Sequence, residues 1–279
     1  MIREISSAEI TNVIADLCQK TNYKLTNDMT QKIKNGMENE KSEIGKKIFV
    51  DFIKNLDIAQ NELIPICQDT GMAVVYLKIG QDVHVVGESI VDAVNNGVKK
   101  GYEDGYLRKS VVSDPIERNN TGDNTPAVIH TDIVPGNEIK ITVAPKGFGS
   151  ENMSKIYMLK PADGIEGGEN VILQAVQEAG PNACPPMVIG IGIGGTFEKA
   201  AEIAKEALLQ EKSSDIEWVR KLEDRLLKKI NMMGIGPAGL GGRISALAVY
   251  INTFPTHIAG LPVAVNICCH VNRHASTII

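Results

Sequence analysis

Cysteines stand in three polar or proline-rich segments of the sequence, where packing in a core does not explain them. Cys67 lies in ICQDTG and Cys184 lies in GPNACPP. The pair Cys268 and Cys269 lies in NICCHVNR. Zinc sites usually take their ligands from closely spaced cysteine pairs, and these segments lie too far apart for that pattern. Isolated thiolates suit a [4Fe–4S] cluster in which one iron stays open as a Lewis acid for a substrate.

An ordinary core thiol is predicted at Cys18. Ser6 and Glu9 form a capping-box pattern that predicts the start of a helix. The apolar stripe that follows repeats at helical intervals: Ile10, Val13, Ile14, Leu17 and Cys18. Unrelated core thiols of this kind would give the same spacing as a cluster site, so spacing alone leaves that alternative open. Five cysteines in a chain without a secretion signal indicate reduced thiols and predict a cytoplasmic protein.

Two further polar segments carry groups that suit a small anion. The segment LRKSVVSDPIERNNTGDNTPAVIH holds Arg108 and Arg118, and either guanidinium can bind a carboxylate through two parallel hydrogen bonds. The segment APKGFGSENMS holds Gly147 and Gly149, which allow backbone N–H groups to approach an anion. A solvated loop without function has the same composition, so each segment alone is weak evidence.

Two other motifs have simpler interpretations than a binding site. Gly190, Gly192 and Gly195 match the dinucleotide pattern G-x-G-x-x-G. The helix that follows is succeeded by a second charged helix rather than by a strand, so we predict no dinucleotide site, although the turn can still offer N–H groups to another anion. His270 and His274 would share one face of a helix as a metal pair, but a solvated basic tail is the simpler interpretation.

The overall composition argues against several classes of protein. The 279 residues are 43% hydrophobic, 23% charged and 4% aromatic, with a formal net charge of −5. These values are typical of a globular protein, and the acidic balance with few aromatic rings argues against nucleic acid as a partner. We also expect no membrane association, because the sequence has neither a signal-peptide pattern nor an apolar run of about 18 residues.

Hydrophobic periodicity predicts an α/β fold, with a helical N-terminal layer over residues 1–60 on a mixed α/β body. Apolar or alternating runs predict strands after Pro65, and amphipathic runs predict helices between them. Residues 135–137, Pro-Gly-Asn, stand between two strand-like runs and predict an antiparallel hairpin. No linker composition interrupts the sequence, so we expect residues 1–279 to form a single domain.

Several polar segments together form a set of recognisable motifs. They are ICQDTG, LRKSVVSDP, NTGDNTPAVIH, KGFGSENMS, GPNACPP, GIGGT, THIAGLPVAVN and the C-x-x-x-R ending. This set resembles the iron–sulfur-dependent class I fumarate hydratases and the related L-tartrate dehydratases. The similarity runs from about residue 60 to the end of the sequence. It corresponds to the α subunit of the two-chain form and implies the α/β fold of that subunit.

The resemblance implies which cysteines would hold the cluster. The ligands would be Cys67, Cys184 and Cys269. Cys269 is preferred to Cys268 because AVNICCHVNRHA aligns its second cysteine with the single one in the family pattern. The family usually has a pair of basic residues near this point, whereas this chain has Arg273 followed by a histidine.

The resemblance also implies which residues contact the substrate. Asp69 and His257 would be catalytic, Asp69 by relaying a proton or orienting the base and His257 by hydrogen-bonding a carboxylate. The full set of substrate-contacting positions is Gln68, Asp69, Arg108, Gly149 and His257. The remaining catalytic groups of the family lie in its β portion, so another chain would complete the site.

The function implied by the resemblance is that of the α subunit of a [4Fe–4S]-dependent hydro-lyase. It would hydrate fumarate reversibly to (S)-malate in the tricarboxylic acid cycle, with substrate bound to the open iron. A separate β subunit would join it in an α2β2 heterotetramer. One alternative is the α subunit of L-tartrate dehydratase, which converts tartrate to oxaloacetate. The other is a non-catalytic metal-binding assembly module that has kept the thiols.

Overall fold

Each of two units in the chain is built around its own four-stranded β-sheet. The computed structural model describes residues 2–279. The first unit comprises Met1–Thr26, Asn55–Phe148 and Arg273–Ile279, and the second comprises Asn27–Lys54 and Gly149–Asn272. Helices and strands both occur along the whole chain, and the strands form mixed sheets, which confirms the predicted α/β class.

The secondary structure elements are numbered here in chain order. The strands are β1 (Arg3–Ser6), β2 (Met72–Gly80), β3 (Val83–Val86), β4 (Val128–Val134), β5 (Ile139–Lys146), β6 (Lys155–Leu159), β7 (Met187–Gly194), β8 (Ala246–Phe254), β9 (Leu261–Cys268) and β10 (Ala275–Ile278). The helices are α1 (Ser7–Tyr23), α2 (Asn27–Asn39), α3 (Glu43–Glu62), α4 (Ile90–Asp104), α5 (Phe148–Glu151), α6 (Gly164–Ala179), α7 (Phe197–Ala207) and α8 (Glu217–Asn231). Over residues 2–279, no helix combines the length and apolar character needed to cross a bilayer.

The sheet of the first unit has the strand order β10-β5-β2-β4. Strand β2 pairs in parallel with β4 and antiparallel with β5, so it lies between the two strands that the sequence predicted as a hairpin. That hairpin prediction is wrong, because a turn pattern reports a reversal of the chain but not which strand fills the neighbouring place. The connection instead passes the end of β2, where Gly80 N–H donates to the Glu138 carbonyl at 2.8 Å.

The sequence pattern predicted that residues 1–60 are helical throughout. This prediction is wrong at the N-terminus, where the short strand β1 precedes the helices. Residues of β1 pair in parallel with β3, with Ile5 opposite Val85. Ser6 ends this strand and caps α1, since its hydroxyl accepts a hydrogen bond from Ala8 N–H at 3.2 Å. The predicted helix start at Ser6 is therefore confirmed, and a short strand precedes it.

Helices α1 and α4 pack closely in the first unit. A Cβ atom added at Gly97 would lie 2.7 Å from the Thr11 carbonyl oxygen, and one at Gly101 would lie 2.7 Å from that of Ala15. Only glycine therefore permits this separation of the helices. Cys18 is fully buried in the same core, and burial raises the pKa of its thiol to about 12. This confirms the prediction that Cys18 is an ordinary core thiol.

The sheet of the second unit has the order β6-β9-β7-β8. Strand β7 pairs antiparallel with β9 and in parallel with β8. The chain reaches β8 from β7 only after two successive helices, α7 and α8. The second helix predicted from the sequence, α8, is therefore present. The strand that pairs in parallel with β7, β8, follows it.

The glycines of β7 allow α7 to lie directly on the strand. A Cβ atom at Gly190 would lie 2.2 Å from the Ala204 carbonyl oxygen, and one at Gly192 would lie 2.1 Å from that of Ala200. Real Cβ atoms do not approach a backbone oxygen so closely. Close packing of strand and helix therefore explains the glycine-rich pattern without a nucleotide.

A buried carboxylate joins the α2–α3 connection to the loop before β8 within the second unit. Glu40 is 2% exposed. Its oxygens accept four backbone N–H groups at 2.7–3.0 Å, those of Lys41, Ser42, Arg243 and Ile244. Burial by itself raises the pKa of Glu40, but the four donors outweigh it and lower the pKa below its ordinary value.

Candidate active site

In the first unit, the segment between α3 and β2 carries the first candidate cysteine. Cys67 is half-buried, and its thiol lies 3.4 Å from Gln68 Oε1, which accepts from it. Asp69 N–H donates to Cys67 Sγ at 3.4 Å. A sulfur that already receives a backbone N–H has part of the hydrogen bonding that stabilises a thiolate.

Backbone donors fix the direction of the Asp69 carboxylate. Its Oδ1 accepts from Gly71 N–H at 3.1 Å, and its Oδ2 accepts from Phe148 N–H at 2.9 Å. A Cβ atom at Gly147 would lie 3.1 Å from Oδ2, so a larger residue there would press on the carboxylate. Each oxygen keeps a further lone pair, which suits a group that orients a proton donor.

A buried tyrosine supports the same loop from behind. The hydroxyl of Tyr102, a fully buried residue, lies 2.8 Å from the Thr70 carbonyl and 2.9 Å from that of Gly71. Burial strongly raises the pKa of Tyr102, so its hydroxyl stays protonated and can donate. Asn124 adds a second donor, with Nδ2 at 3.2 Å from the Gly71 carbonyl.

The backbone of Arg108 is hydrogen-bonded to this loop. The Thr70 hydroxyl donates to the Arg108 carbonyl at 2.8 Å, while the Arg108 side chain is exposed. Hydrogen bonds thus connect Cys67 with Gln68 and Asp69, and Thr70 of the same loop with the Arg108 backbone, within the first unit. The arrangement places an amide and a carboxylate close to a thiol, and the exposed Arg108 side chain extends from a backbone bonded to the same loop.

The end of the chain differs from its prediction. Residues 271–274 are not helical, so His270 and His274 do not share a helix face. The segment is also not a solvated tail, because Val271, Asn272 and Arg273 are 4–8% exposed and β10 pairs with β5. Long-range strand pairing and burial decide this outcome, and neither appears in a local charge pattern.

Arg273 is a buried residue of this unit to which the residue patterns assigned no role. Its Nη2 donates to the Asp69 carbonyl at 2.5 Å. Its Nε and Nη1 are buried without a hydrogen-bond partner among residues 2–279. The only sequence signal for Arg273 was its place in the C-x-x-x-R ending, and the sequence analysis assigned no role to that arginine.

In the second unit, Cys184 is held in a rare backbone conformation. It follows the 3₁₀ turn Gly180–Ala183, has a φ of 52°, and precedes Pro185 and Pro186. Left-handed φ is unusual for a residue with a Cβ atom and concentrates at functional positions. The Cys184 side chain is exposed, so its thiol is available to a ligand.

His270 lies beside the Cys184 backbone. Its Nδ1 is 3.3 Å from the Cys184 carbonyl, and its ring stacks on Phe52 with centroids 3.8 Å apart. Burial lowers the pKa of His270 to about 4, so the ring is neutral at physiological pH. A neutral ring that donates from Nδ1 supports the Cys184 turn.

The two adjacent cysteines at the end of β9 differ in exposure. Cys268 is the last residue of the strand and is 5% exposed, whereas Cys269 follows the strand and is half-buried. Residues 262–268 of β9 are buried on both faces of the sheet, so the Cys268 side chain lies inside the protein. Cys269 has the more accessible thiol.

His257 and Gly149 are exposed residues of the second unit, His257 in the connection between β8 and β9 and Gly149 in the short helix α5. His257 Nδ1 accepts from Ala259 N–H at 3.2 Å, which leaves Nε2 as the ring atom that can meet a ligand. A cavity of about 450 Å³ is lined by His257 together with Thr196 and Lys199. No atom lies within 4 Å of a Cβ built on Gly149, so crowding does not require glycine there.

The proposed metal ligands are divided between the two units: Cys67 is in the first, and Cys184 and Cys269 are in the second. Over residues 2–279, no group of three or more histidine, cysteine, aspartate or glutamate side chains is arranged to hold a metal ion. The chemistry of the donors nevertheless fits an iron–sulfur cluster. The cysteines form no disulfide, and Arg273 adds a buried cation with unpartnered N–H groups to the Cys67 loop.

Comparison with known proteins assigns the family. The family model described as fumarate hydratase (Fumerase) matches residues 11–278. This chain belongs to the fumarate hydratase family. The match begins well before the motifs that first suggested it, so α1 to α3 are part of the family fold.

Relatives of this fumarate hydratase family member are also similar over almost their whole length. The putative L(+)-tartrate dehydratase subunit alpha of Methanocaldococcus jannaschii is 42% identical over 276 residues, covering 96% of each chain. The L(+)-tartrate dehydratase subunit alpha of Escherichia coli K12 is 30% identical over 279 residues, covering 97% of this chain and 91% of its own. The family is therefore one of hydro-lyases, as the sequence motifs predicted.

Proposed function

We propose that this chain is the α subunit of a [4Fe–4S]-dependent hydro-lyase that adds water reversibly to fumarate and gives (S)-malate. The observation that carries the proposal is the fumarate hydratase family match over residues 11–278, which includes thiols at three loop positions. Relatives named as α subunits support a separate β subunit as partner. A cytoplasmic α2β2 heterotetramer completes the proposal.

Cys67, Cys184 and Cys269 would hold the cluster. When bound, the cluster supplies a Lewis-acidic iron that polarises the oxygen atoms of the substrate. The lack of a disulfide at these cysteines and the exposed position of Cys184 support this assignment. Burial of Cys268 supports Cys269 as the third ligand.

The exposed guanidinium of Arg108 would bind one substrate carboxylate. A planar guanidinium can donate two parallel hydrogen bonds to a carboxylate, which fixes its orientation as well as its position. Gln68 adds an exposed amide beside Cys67. In the second unit, His257 Nε2 and the open backbone at Gly149 would serve as further donors for a dicarboxylate.

Asp69 would orient the proton transfer. Its two oxygens are held by the N–H groups of Gly71 and Phe148, so the carboxylate keeps one direction during turnover. A fixed carboxylate aligns a proton donor or a water molecule without reorganisation. The residue that delivers the proton to carbon is expected on the β subunit.

L-tartrate dehydration is the second candidate function. The names of both relatives favour it, since each is described as an L(+)-tartrate dehydratase subunit. The two reactions share a four-carbon dicarboxylate and the loss or addition of water. They therefore need the same carboxylate donors and differ in the extra hydroxyl group of tartrate.

The test is anaerobic co-expression with the β subunit, followed by iron and sulfide analysis and assays with fumarate, malate and L-tartrate. We expect the Cys67→Ser, Cys184→Ser and Cys269→Ser variants to lose iron, sulfide and turnover together. Cys268→Ala is the matched control, because its thiol is buried at the same strand end, and it should retain all three properties.

Each outcome separates the candidates. Turnover of fumarate and malate, with kcat/KM well above that for L-tartrate, supports the proposal, and the reverse ratio assigns the second candidate. Bound iron without turnover of any of the three acids in the α–β complex would identify a metal-binding assembly module. If all three serine variants kept their iron and sulfide, the ligand assignment would be wrong.

A further inference from the structure

Arg273 is a buried cation without a counter-charge. The residue is 4% exposed, and it makes no ion pair with any residue of the described range 2–279. Only one of its nitrogen atoms, Nη2, has a hydrogen-bond partner, the Asp69 carbonyl oxygen at 2.5 Å. Buried charges are normally paired, so an unpaired guanidinium in this place calls for an anion.

The side-chain carboxylate of Asp69, the residue that Arg273 contacts, does not serve as that anion. Asp69 meets Arg273 through its backbone carbonyl, while its side-chain oxygens accept the N–H groups of Gly71 and Phe148. Two donors of Arg273, at Nε and Nη1, therefore remain for a group that this chain does not provide. An acceptor that takes two N–H bonds and balances one positive charge fits this environment.

The contacts of Arg273 lead to the first candidate cysteine. Arg273 Nη2 donates to the Asp69 carbonyl, and Asp69 N–H donates to Cys67 Sγ at 3.4 Å. Arg273 also follows Cys269 closely in the sequence. The guanidinium is thus connected to one candidate ligand by hydrogen bonds and to another by the chain itself.

We propose that Arg273 is a positioning residue that fixes the Cys67 segment through the Asp69 carbonyl and donates its two remaining N–H groups to the sulfur atoms of the bound cluster. The inference rests on the proposed function. Thiolate and sulfide sulfurs are acceptors with delocalised negative charge, and N–H donors around them tune both cluster retention and reduction potential. Removing the guanidinium should therefore loosen the cluster and make its potential more negative.

The experiment compares Arg273→Gln and Arg273→Lys with the wild-type α–β complex, all prepared anaerobically. One readout is the half-life of protein-bound iron in the presence of a chelator. The other is the reduction potential of the cluster, followed by electron paramagnetic resonance during a redox titration. Arg220→Gln, which removes an exposed arginine from α8, is the matched control and should equal the wild type in both.

The two variants separate charge from geometry. Arg273→Gln should shorten the half-life of bound iron about tenfold and shift the potential to a more negative value. Arg273→Lys keeps the positive charge but cannot reach the carbonyl and the sulfurs at once, so it should restore most of the potential and leave the half-life short. If Arg273→Gln does not fold, the lysine variant still tests the half-life prediction.

Two results would overturn the inference. In the first, both variants retain the wild-type potential and iron half-life. In the second, KM for the dicarboxylate rises while potential and half-life do not change, which would make Arg273 a substrate-binding residue. A wild-type complex without iron and sulfide would instead refute the proposed function, before any variant is measured.

Discussion

Replacing Glu40 with glutamine should destabilise the second unit strongly. The carboxylate accepts four backbone N–H groups. Those of Lys41 and Ser42 bond Oε1, that of Ile244 bonds Oε2, and that of Arg243 reaches both oxygens. Glutamine keeps one acceptor oxygen and puts an NH₂ group where Oε2 stood. The Ile244 N–H would then face another donor, and the remaining bonds would lose their charge.

The magnitude follows from these bonds. One buried N–H left without an acceptor costs about 1–3 kcal/mol, and hydrogen bonds to a charged acceptor exceed neutral ones by about 1 kcal/mol each. Removing the desolvation cost of the buried carboxylate offsets part of the loss. We expect Glu40→Gln to lower the free energy of unfolding by about 2–4 kcal/mol.

Urea denaturation followed by circular dichroism measures this change. With an m-value of about 3 kcal/mol/M, the midpoint should fall by about 1 M. Glu38→Gln is the matched control, because Glu38 lies on the exposed face of the same helix end and its midpoint should not move. Equal midpoints for the two variants would show that the four N–H bonds do not stabilise the fold as argued.

The same residue predicts a pH dependence. Because the pKa of Glu40 is lowered in the folded state, its stabilising effect is complete above the ordinary pKa of 4.5 and is lost as pH falls through the lower folded value. The difference in stability between wild type and Glu40→Gln should therefore be constant near neutral pH and shrink in acid. A difference that stays the same down to about pH 3 would refute the charge-based reasoning.

Three further changes test other parts of the structure. Tyr102→Phe removes the hydroxyl behind the Cys67 loop and should lower the free energy of unfolding by about 1–3 kcal/mol, measured by urea denaturation. Gly192→Ala puts a Cβ atom 2.1 Å from a backbone oxygen of α7 and should cost about 1–3 kcal/mol or more, whereas Gly149→Ala, in open space, should leave the melting temperature unchanged. Iodoacetamide should modify Cys184 in the native cluster-free chain and Cys18 only after unfolding, as read by mass spectrometry, because Cys184 is exposed and the pKa of Cys18 is about 12. Native modification of Cys18, or a similar loss of stability in both glycine variants, would contradict these assignments.

Local patterns predicted most elements of the fold. The capping residue Ser6 and the apolar stripe of α1 follow from propensities that act within a few residues. The end of α6 at Gly180 and the two successive helices α7 and α8 follow in the same way. These features depend on neighbours in the sequence, so the sequence itself contains the signal.

Pairing between distant strands was not predictable in this way. The strand β2 lies between β4 and β5, although a turn pattern joins the latter two directly in the sequence. The β10 strand likewise pairs with β5, far away along the chain. Such pairings depend on which apolar faces bury one another, and no short window of sequence records that choice.

The sequence by itself determined the chemistry that is available to this protein: separated thiols, polar loops with arginine and histidine, and motifs that the family match over residues 11–278 confirms. Only the tertiary structure decided which charges are exposed and which are buried. Arg108 and Arg273 look equivalent in the sequence, yet Arg108 is exposed and Arg273 is 4% exposed with two unpartnered donors. The physical reason is that burial and hydrogen-bond satisfaction arise from packing between distant segments, whereas the type and spacing of reactive groups are set along the chain.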